Sequence, residues 1–319
     1  MSTKSTLRSI FVSDLHLGYK GADIRSLNAF LGAHTCRHLY LVGDFLDGWK
    51  LEKRWYWNQD YSDFLDTLIE FKNKGGKITV LSGNHDEKLR EHSVQRARRI
   101  LSRRFGLTLK EQAIHQTKDG RRLLVIHGDQ FDSPLLRSAS RHADGVWSRV
   151  DDLAWARSDP GDAGSEAKRR RWSLGKAIAT HAKALIWSYT DAATDYAVAR
   201  GLDGIICGHS HVAALVTRGT TVFGNCGSWT GARDAGSSHT ALAEHTDGRL
   251  ELLKWPSMRG SHVDTLYKNL GLDDIRTKSV EAATLARLIR GLWTPIAMDE
   301  TAPETVIWPS RPGHTTANL

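Results

Sequence analysis

Five short segments of this 319-residue chain concentrate oxygen and imidazole donors: Asp14-Leu15-His16, Gly43-Asp44-Phe45-Leu46-Asp47, Gly83-Asn84-His85-Asp86, His127-Gly128-Asp129 and Gly208-His209-Ser210-His211. Each follows an apolar run that reads as a strand. A donor placed directly after a strand sits at the carboxyl edge of the sheet, where residues far apart in sequence can converge. Asp14, His16, Asp44, Asn84, His127, His209 and His211 are the candidate metal ligands. In extended chain residues i and i+2 point the same way, so Asp14 with His16, and His209 with His211, are each expected to grip one centre. The glycines at 43, 83, 128 and 208 suit tight turns close to an ion or a phosphate. A mixed Asp, His and Asn set suits manganese, iron or zinc, whereas magnesium and calcium prefer all-oxygen shells. Thiolate is absent from the set. One carboxylate can bridge two ions, and ions roughly 3.5–4 Å apart clamp both the attacking and the leaving oxygen in phosphoester hydrolysis. Asp44 is the candidate bridge.

The elements that must position these donors are legible as alternating patterns. Arg8 to Val12, His38 to Val42 and Lys77 to Leu81 read as strands, each followed by a helical pattern: Ile24 to Leu31, Tyr61 to Lys74 and Val94 to Phe105. Leu107 to Gln116 and Arg121 to Ile126 read as two strands joined by an Asp119-Gly120 hairpin turn. From Ser133 to Arg200 the pattern is helical, with stripes through Trp147, Val150, Leu153 and Ala154 and through Ile178, Leu185 and Ile186. Strand patterns resume at Gly204 to Cys207, Ala213 to Thr217, Thr221 to Phe223, Thr240 to His245 and Arg249 to Trp255. The expected division is a core of residues 1–132 and 201–256, a helical cap insertion at 133–200, and an extension at 257–319 with one amphipathic helix, Ser279 to Trp293, and a mobile end.

Composition bounds the remaining choices. The chain is 40% hydrophobic and 25% charged, and no run approaches the roughly 18 consecutive apolar residues of a membrane span. Its N-terminus runs into a strand that carries a ligand, as a cleavable signal peptide would not, so a cytoplasmic protein is expected. Cys36, Cys207 and Cys226 are far apart and form no C-x-x-C pair, and buried thiols are expected. Lys and Arg number 44 against 36 Asp and Glu, a net charge of +8. Such a surface attracts phosphates, nucleic acid or an anionic membrane surface, and charge does not choose among them.

Taken together, the segments D-x-H, G-D-x-x-D, G-N-H-D, a lone His and G-H-x-H resemble the calcineurin-like metallophosphoesterase family. The resemblance implies a two-sheet α/β sandwich flanked by helices. It implies one divalent ion on Asp14, His16, Asp44 and His211, and another on Asp44, Asn84, His127 and His209. His85 would stabilise phosphoryl charge or protonate the leaving group, and Asp86 would orient His85. Asp47 would accept a hydrogen bond from a ligand histidine or the turn backbone.

Over residues 8 to 255, Ser13 to Gly18, Gly43 to Trp49, His127 to Asp132 and the helical insertion look like the UDP-2,3-diacylglucosamine pyrophosphatase group of lipid A biosynthesis. That implies manganese and cleavage of a nucleotide diphosphate sugar lipid to UMP and a lipid sugar phosphate, with peripheral contact at the inner membrane face. The best-known branch carries Arg where this chain has His85. Two other readings stay open: a phosphodiesterase or nuclease acting on nucleic acid or small nucleotides, and a non-catalytic metal-binding scaffold for a protein or membrane partner. Lys168 to Arg171 with Trp172, the arginines between 96 and 104, and the aromatic run Trp49, Trp55, Tyr56 and Trp57 are read as a solvated face, a second solvated face and either a pocket wall or packing.

Overall fold

The computed structural model describes residues 5–91, 94–131, 188–230, 238–258, 270 and 274–293. The central strands are continuous apolar runs because both of their faces are covered. In chain order these are β1 (Ser5–Thr6), β2 (Ser9–Val12), β3 (His34–Thr35), β4 (His38–Val42), β5 (Lys77–Leu81), β6 (Leu107–Lys110), β7 (Gln112–Gln116), β8 (Arg122–Ile126), β9 (Gly204–Cys207), β10 (Ala214–Arg218), β11 (Thr221–Asn225), β12 (Ser238–Glu244) and β13 (Leu250–Pro256). Six strands form one sheet in the order β13-β12-β2-β4-β5-β6, and five form another in the order β10-β11-β9-β8-β7; β1 and β3 pair separately. Strands β2, β4, β5 and β6 run parallel. Helices α1 (Ile24–Ala33), α2 (Gly48–Lys53), α3 (Gln59–Asn73) and α4 (Gln95–Phe105) occupy the connections between them.

The two sheets face each other across a core that includes Phe11, Tyr40, Val42, Leu81, Leu123, Val125, Ile206 and Leu242. Helices cover the outer face of the six-stranded sheet. Helical residues 188–198 cover the other sheet through Tyr189, Ala193 and Ala197. The result is the expected two-sheet sandwich with flanking helices. No helix among the described residues is long and apolar enough to cross a membrane.

One expectation changes. The run Leu107 to Gln116 is two strands, not one: β6 pairs with β5 in one sheet and β7 with β8 in the other, so the chain exchanges sheets at Glu111. The insertion read at 133–200, with both of its apolar stripes and the Lys168 to Trp172 run, lies outside the described residues except for 188–200.

The C-terminal helix α5 (Val280–Trp293) buries Ala282, Leu285, Ala286, Ile289 and Trp293, an i, i+3, i+4, i+7 stripe, and packs on α3, α4 and α2. Its start is tied down by Asp66, whose carboxylate accepts the backbone N–H of Lys278 at 2.7 Å and of Ser279 at 3.1 Å. At its other end the Trp293 indole lies where a Cβ on Gly48 would stand. The aromatic run is packing rather than an open wall at Tyr56 and Trp57, which are buried, while Trp55 stacks on Trp57 beneath the Arg290 guanidinium.

Glu244 ties the sheets together. From β12 its carboxylate meets Arg8 at 2.5 Å, Ser9 Oγ at 3.1 Å, the Lys118 N–H at 2.7 Å and His115 of β7 at 2.8 Å. Burial pushes the Glu244 carboxyl up, but His115 and Arg8 outweigh it and bring it to about 2. A carboxyl with a depressed folded value stabilises above its ordinary value, near 4.5, and that contribution is lost as pH falls towards 2. Glu244→Gln should therefore cost about 2–3 kcal/mol in urea unfolding at pH 7, with the deficit shrinking towards pH 3. An equal deficit at both pH values would contradict the charge argument.

Candidate metal centre

All seven candidate ligands meet at one edge of the sandwich, contributed by both sheets. Asp14, Asp44 and Asn84 follow β2, β4 and β5; His127, His209 and His211 follow β8 and β9. Asp44 stands in the middle. Its Oδ2 lies 3.5 Å from His16 Nε2 and 3.3 Å from His127 Nε2. On one side, Asp14 Oδ1 is 3.8 Å from His16 Nε2 and 3.0 Å from His211 Nε2. On the other, His127 Nε2 is 3.2 Å from Asn84 Oδ1, and the His209 ring lies 5.2 Å from the His127 ring.

The backbone at these positions is unusual. Among the described residues, Asp14, His16, Asp44, His209 and His211 are the non-glycine residues with positive φ, between 48° and 64°. Such a conformation costs about 1–3 kcal/mol per residue and clusters at functional sites; Asp, Asn and His tolerate it best. The expected reason for the i, i+2 spacing therefore fails, because these residues are kinked rather than extended. What turns each pair towards the centre is the left-handed kink.

Carboxylates and imidazoles are arranged as partners across a gap. Asp14 Oδ1, His16 Nε2 and Asp47 Oδ2 are buried and make no hydrogen bond. Burial pushes the Asp14 carboxyl up, but His211 and His16 hold it well below the usual range. The same contest places Asp44 below that range, through His127 and His85. Burial pushes the imidazoles down, yet Asp14, Asp47 and Asp44 hold His16 well above its ordinary value, and Asp44 brings His127 to about 10. Each carboxylate is thus held in its charged form by the imidazoles that face it, a setting that favours positive charge between them.

Donors bound at about 2.0–2.2 Å to one cation, at angles of roughly 90–110°, stand about 3–3.5 Å apart. The separations of 3.0, 3.3 and 3.5 Å fall in that range, and 3.8 Å lies just beyond it. Orphaned Asp14 Oδ1 and His16 Nε2 are the atoms such a cation would satisfy. His127 is already oriented for the task, because its Nδ1 meets the Val42 carbonyl at 3.0 Å and leaves Nε2 facing Asp44. The residues present fit divalent cations.

The neighbours of His85 correct one expectation. Asp86 does not hold the His85 ring; its carboxylate accepts the backbone N–H of Gly83 at 2.5 Å and of Phe45 at 3.0 Å, bracing two motif loops. Burial and the charge of Asp44 raise Asp86 to about 6. Asp47 faces the ring, with Oδ1 3.3 Å from His85 Nδ1, and its Oδ2 is 3.6 Å from His16 Nδ1. The ring also lies against Trp49, at 4.0 Å between centroids and tilted by 32°. Its Nε2 points into the cluster, 4.0 Å from Asp44.

Residues 7–213, more than half of the chain, match the calcineurin-like phosphoesterase family. The chain belongs to that family. It is thus a phosphoesterase, of a family of hydrolases acting on phosphoester bonds, and its His and Asp clusters are of the type that holds divalent metal. No curated protein matches this phosphoesterase. Among solved structures it is similar to Vps29 complexed with zinc from Entamoeba histolytica, at 15% identity over 79% of this chain and 94% of that one, with a TM-score of 0.38. It is similar to an archaeal phosphodiesterase at 14% identity over 77% and 98%, with a TM-score of 0.38. It is similar to a hypothetical protein from Pyrococcus horikoshii at 8% identity over 83% and 99%, with a TM-score of 0.43. Likenesses this distant carry no argument about function.

Sequence reasoning missed two further contributors. Asn225 donates from Nδ2 to the Gly208 carbonyl at 2.6 Å and to Ser210 Oγ at 3.0 Å, fixing the loop that carries His209 and His211. The Asn-Cys-Gly-Ser turn was its only signal. Arg90 donates to the Ser82 carbonyl at 2.6 Å and pairs with Asp129 at 3.4 Å, linking the third and fourth motif loops. Nothing in its sequence context marks it.

Proposed function

We propose that this phosphoesterase hydrolyses a phosphoric anhydride or ester at two divalent ions, with Asp14, His16, Asp44 and His211 holding one and Asp44, Asn84, His127 and His209 the other. The observation that carries the proposal is Asp44 Oδ2 within 3.5 Å of both His16 Nε2 and His127 Nε2, the position a bridging carboxylate needs. When bound, such ions supply charge neutralisation and Lewis-acid polarisation of a phosphoryl group.

The protein's own part follows from His85. Asp47 faces Nδ1 and holds the ring by that edge, so that the doubly protonated imidazole, with Nε2 turned to the cluster, would give its Nε2 proton to a leaving oxygen and keep the Nδ1 proton on Asp47. The His85 backbone N–H donates to Asp44 Oδ1 at 2.9 Å, so the acid and the bridge are held by one loop. His85→Ala should leave metal content unchanged and lower turnover of a phosphodiester with an alkoxide leaving group, which needs that proton, by roughly 10²–10⁴-fold, and that of bis-p-nitrophenyl phosphate far less. Unchanged turnover of the former would remove His85 from the reaction.

For the substrate we infer a UDP-diacylglucosamine-like nucleotide diphosphate sugar lipid, with manganese as the metal, on the resemblance of Ser13 to Gly18, Gly43 to Trp49 and His127 to Asp132 to the pyrophosphatases of lipid A biosynthesis. The helical insertion then acts as a cap over the lipid, and the protein works from the cytoplasmic side at an anionic membrane surface. Manganese-dependent release of UMP from UDP-2,3-diacylglucosamine by purified protein tests it. Hydrolysis of bis-p-nitrophenyl phosphate without UMP release would sink the substrate and keep the chemistry. Cleavage of single-stranded DNA would favour the nuclease reading that the net charge of +8 suggests.

A further inference from the structure

A cavity of about 540 Å³ opens at the edge of the sandwich opposite the metal centre. It is built by the amino ends of the strands whose carboxyl ends carry the ligands: Arg8 precedes β2, Arg37 precedes β4 and Lys77 opens β5. Four or five residues at about 3.3 Å each put roughly 15 Å of rigid strand between the two places. The volume lies within the roughly 300–1,000 Å³ typical of small-molecule pockets.

Its lining is cationic and contains no acidic side chain. Tyr40 and His115 are buried in the floor, while Arg37, Lys74 and Lys77 are exposed at the rim. Glu244, whose carboxylate meets the lining residues Arg8, Ser9 and His115, is engaged by them. Lys74 pairs with Glu70, whereas Arg37 and Lys77 make no ion pair among the described residues. Gly75, at φ +87°, has open space where a Cβ would stand, so no side chain obstructs the rim between the two lysines.

The field inside the cavity is visible at His38, whose ring stacks on Tyr40 at 3.9 Å between centroids. Burial pushes the His38 imidazole down, and the charges of His115, Lys77, Lys110 and Arg8 act in the same direction, to about 4. Burial alone disfavours either sign of charge, but the positive charges of Lys77, Lys110 and Arg8 around the ring favour an anion at the open rim. Planar guanidinium and mobile ammonium groups at one rim match a phosphate dianion, with Arg37 able to bind it through two parallel hydrogen bonds. The space left beyond that phosphate suits the organic part of a small ester.

We propose that this cavity binds a small phosphomonoester, of sugar phosphate or mononucleotide size, at a site separate from the metal centre. The test is calorimetric titration of the full-length Asp44→Asn protein, which weakens phosphate capture at the metal centre, using AMP, ribose 5-phosphate and adenosine. The expected result is binding of at least one phosphate ester and weaker or no binding of adenosine. Adding Arg37→Glu and Lys77→Glu should reduce the affinity at least about tenfold, equal to about 1.4 kcal/mol. Lys77→Gln alone should reduce it several-fold, which covers the case in which the double variant fails to fold, and Arg103→Glu on α4 should leave it unchanged.

AMP stronger than ribose 5-phosphate assigns a nucleotide, and the reverse or equality assigns a sugar phosphate. In the parent protein the His38 ring resonances should move on titration. The proposal is overturned if adenosine matches AMP, if the rim variants bind as the parent does, or if neither ester binds at about 10 mM, weaker than millimolar contact. Because the readout is binding rather than turnover, these outcomes are independent of whether the metal centre hydrolyses any given substrate.

Discussion

Asp44→Asn is expected to leave a folded protein that has lost its metal and its hydrolytic activity together. Asparagine keeps the volume of aspartate, tolerates the left-handed backbone at φ 48°, and retains an oxygen that can accept the His85 N–H. What it loses is the negative charge that His16 and His127 both face. Loss of a partner one layer out from a metal costs roughly 10–100-fold in affinity, so loss of a shared ligand should exceed that. Elemental analysis should fall from two ions per chain to one or none, and turnover by roughly 10³-fold or more, since the two ions act as one unit. Circular dichroism should be unchanged. Full metal content with normal turnover in this variant would dismiss Asp44 as the bridge and with it the dinuclear reading.

The second large effect separates steric from conformational roles of glycine. Gly83 has an ordinary backbone, but a Cβ there would fall on the Asp44 carboxylate and its backbone nitrogen. Gly43 adds a positive φ of 81°, and a Cβ there would enter the His127 ring. Neither neighbour can yield without moving a candidate ligand. Overpacking of this kind costs about 1–3 kcal/mol, yet the larger consequence is for the centre: Gly83→Ala should displace Asp44 and remove metal binding even where the protein still folds. Gly32 in α1 is the contrast, because nothing lies within 4 Å of a Cβ there. Gly32→Ala should stabilise by about 0.5–1 kcal/mol with metal content and turnover untouched. Thermal melts and metal analysis of the two variants side by side check this; equal behaviour would show that Gly83 is a turn residue with no bearing on the centre.

The convergence of the candidate ligands and the sandwich were both legible in the chain for one reason. Strands buried on both faces appear as unbroken apolar runs, and β2, β4, β5, β8 and β9 each end at a donor, so the runs located the donors and the donors located the sheet edge. Features that depend on partners far away were not legible. The run Leu107 to Gln116 shows no break at Glu111, because an edge strand and the strand that follows it carry the same alternation whichever sheet they join. Helix α2 is too short, at six residues, to display a period. Positive φ at Asp14, His16 and Asp44 leaves no mark when the residue is not glycine, which is why the pairs that the structure brings together were reached by way of the wrong backbone. The contact of His85 with Asp47 rather than Asp86 follows from where two loops cross, and adjacency in sequence pointed to the wrong carboxylate. The cationic cavity gave no motif at all, since Arg8, Arg37 and Lys77 belong to three separate strands.

Gly48 couples helix α5 to the loop that carries His85. Its N–H donates to the His85 carbonyl at 3.0 Å, and the space beside it is filled by the Trp293 indole. A chain cut before Val280 would keep every candidate ligand, yet the loop that carries His85 would lose its backing. Changes in α5 should therefore register first as slowed catalysis at intact metal occupancy, with Trp293 acting as a buttress for the loop of a histidine about two hundred residues before it in sequence.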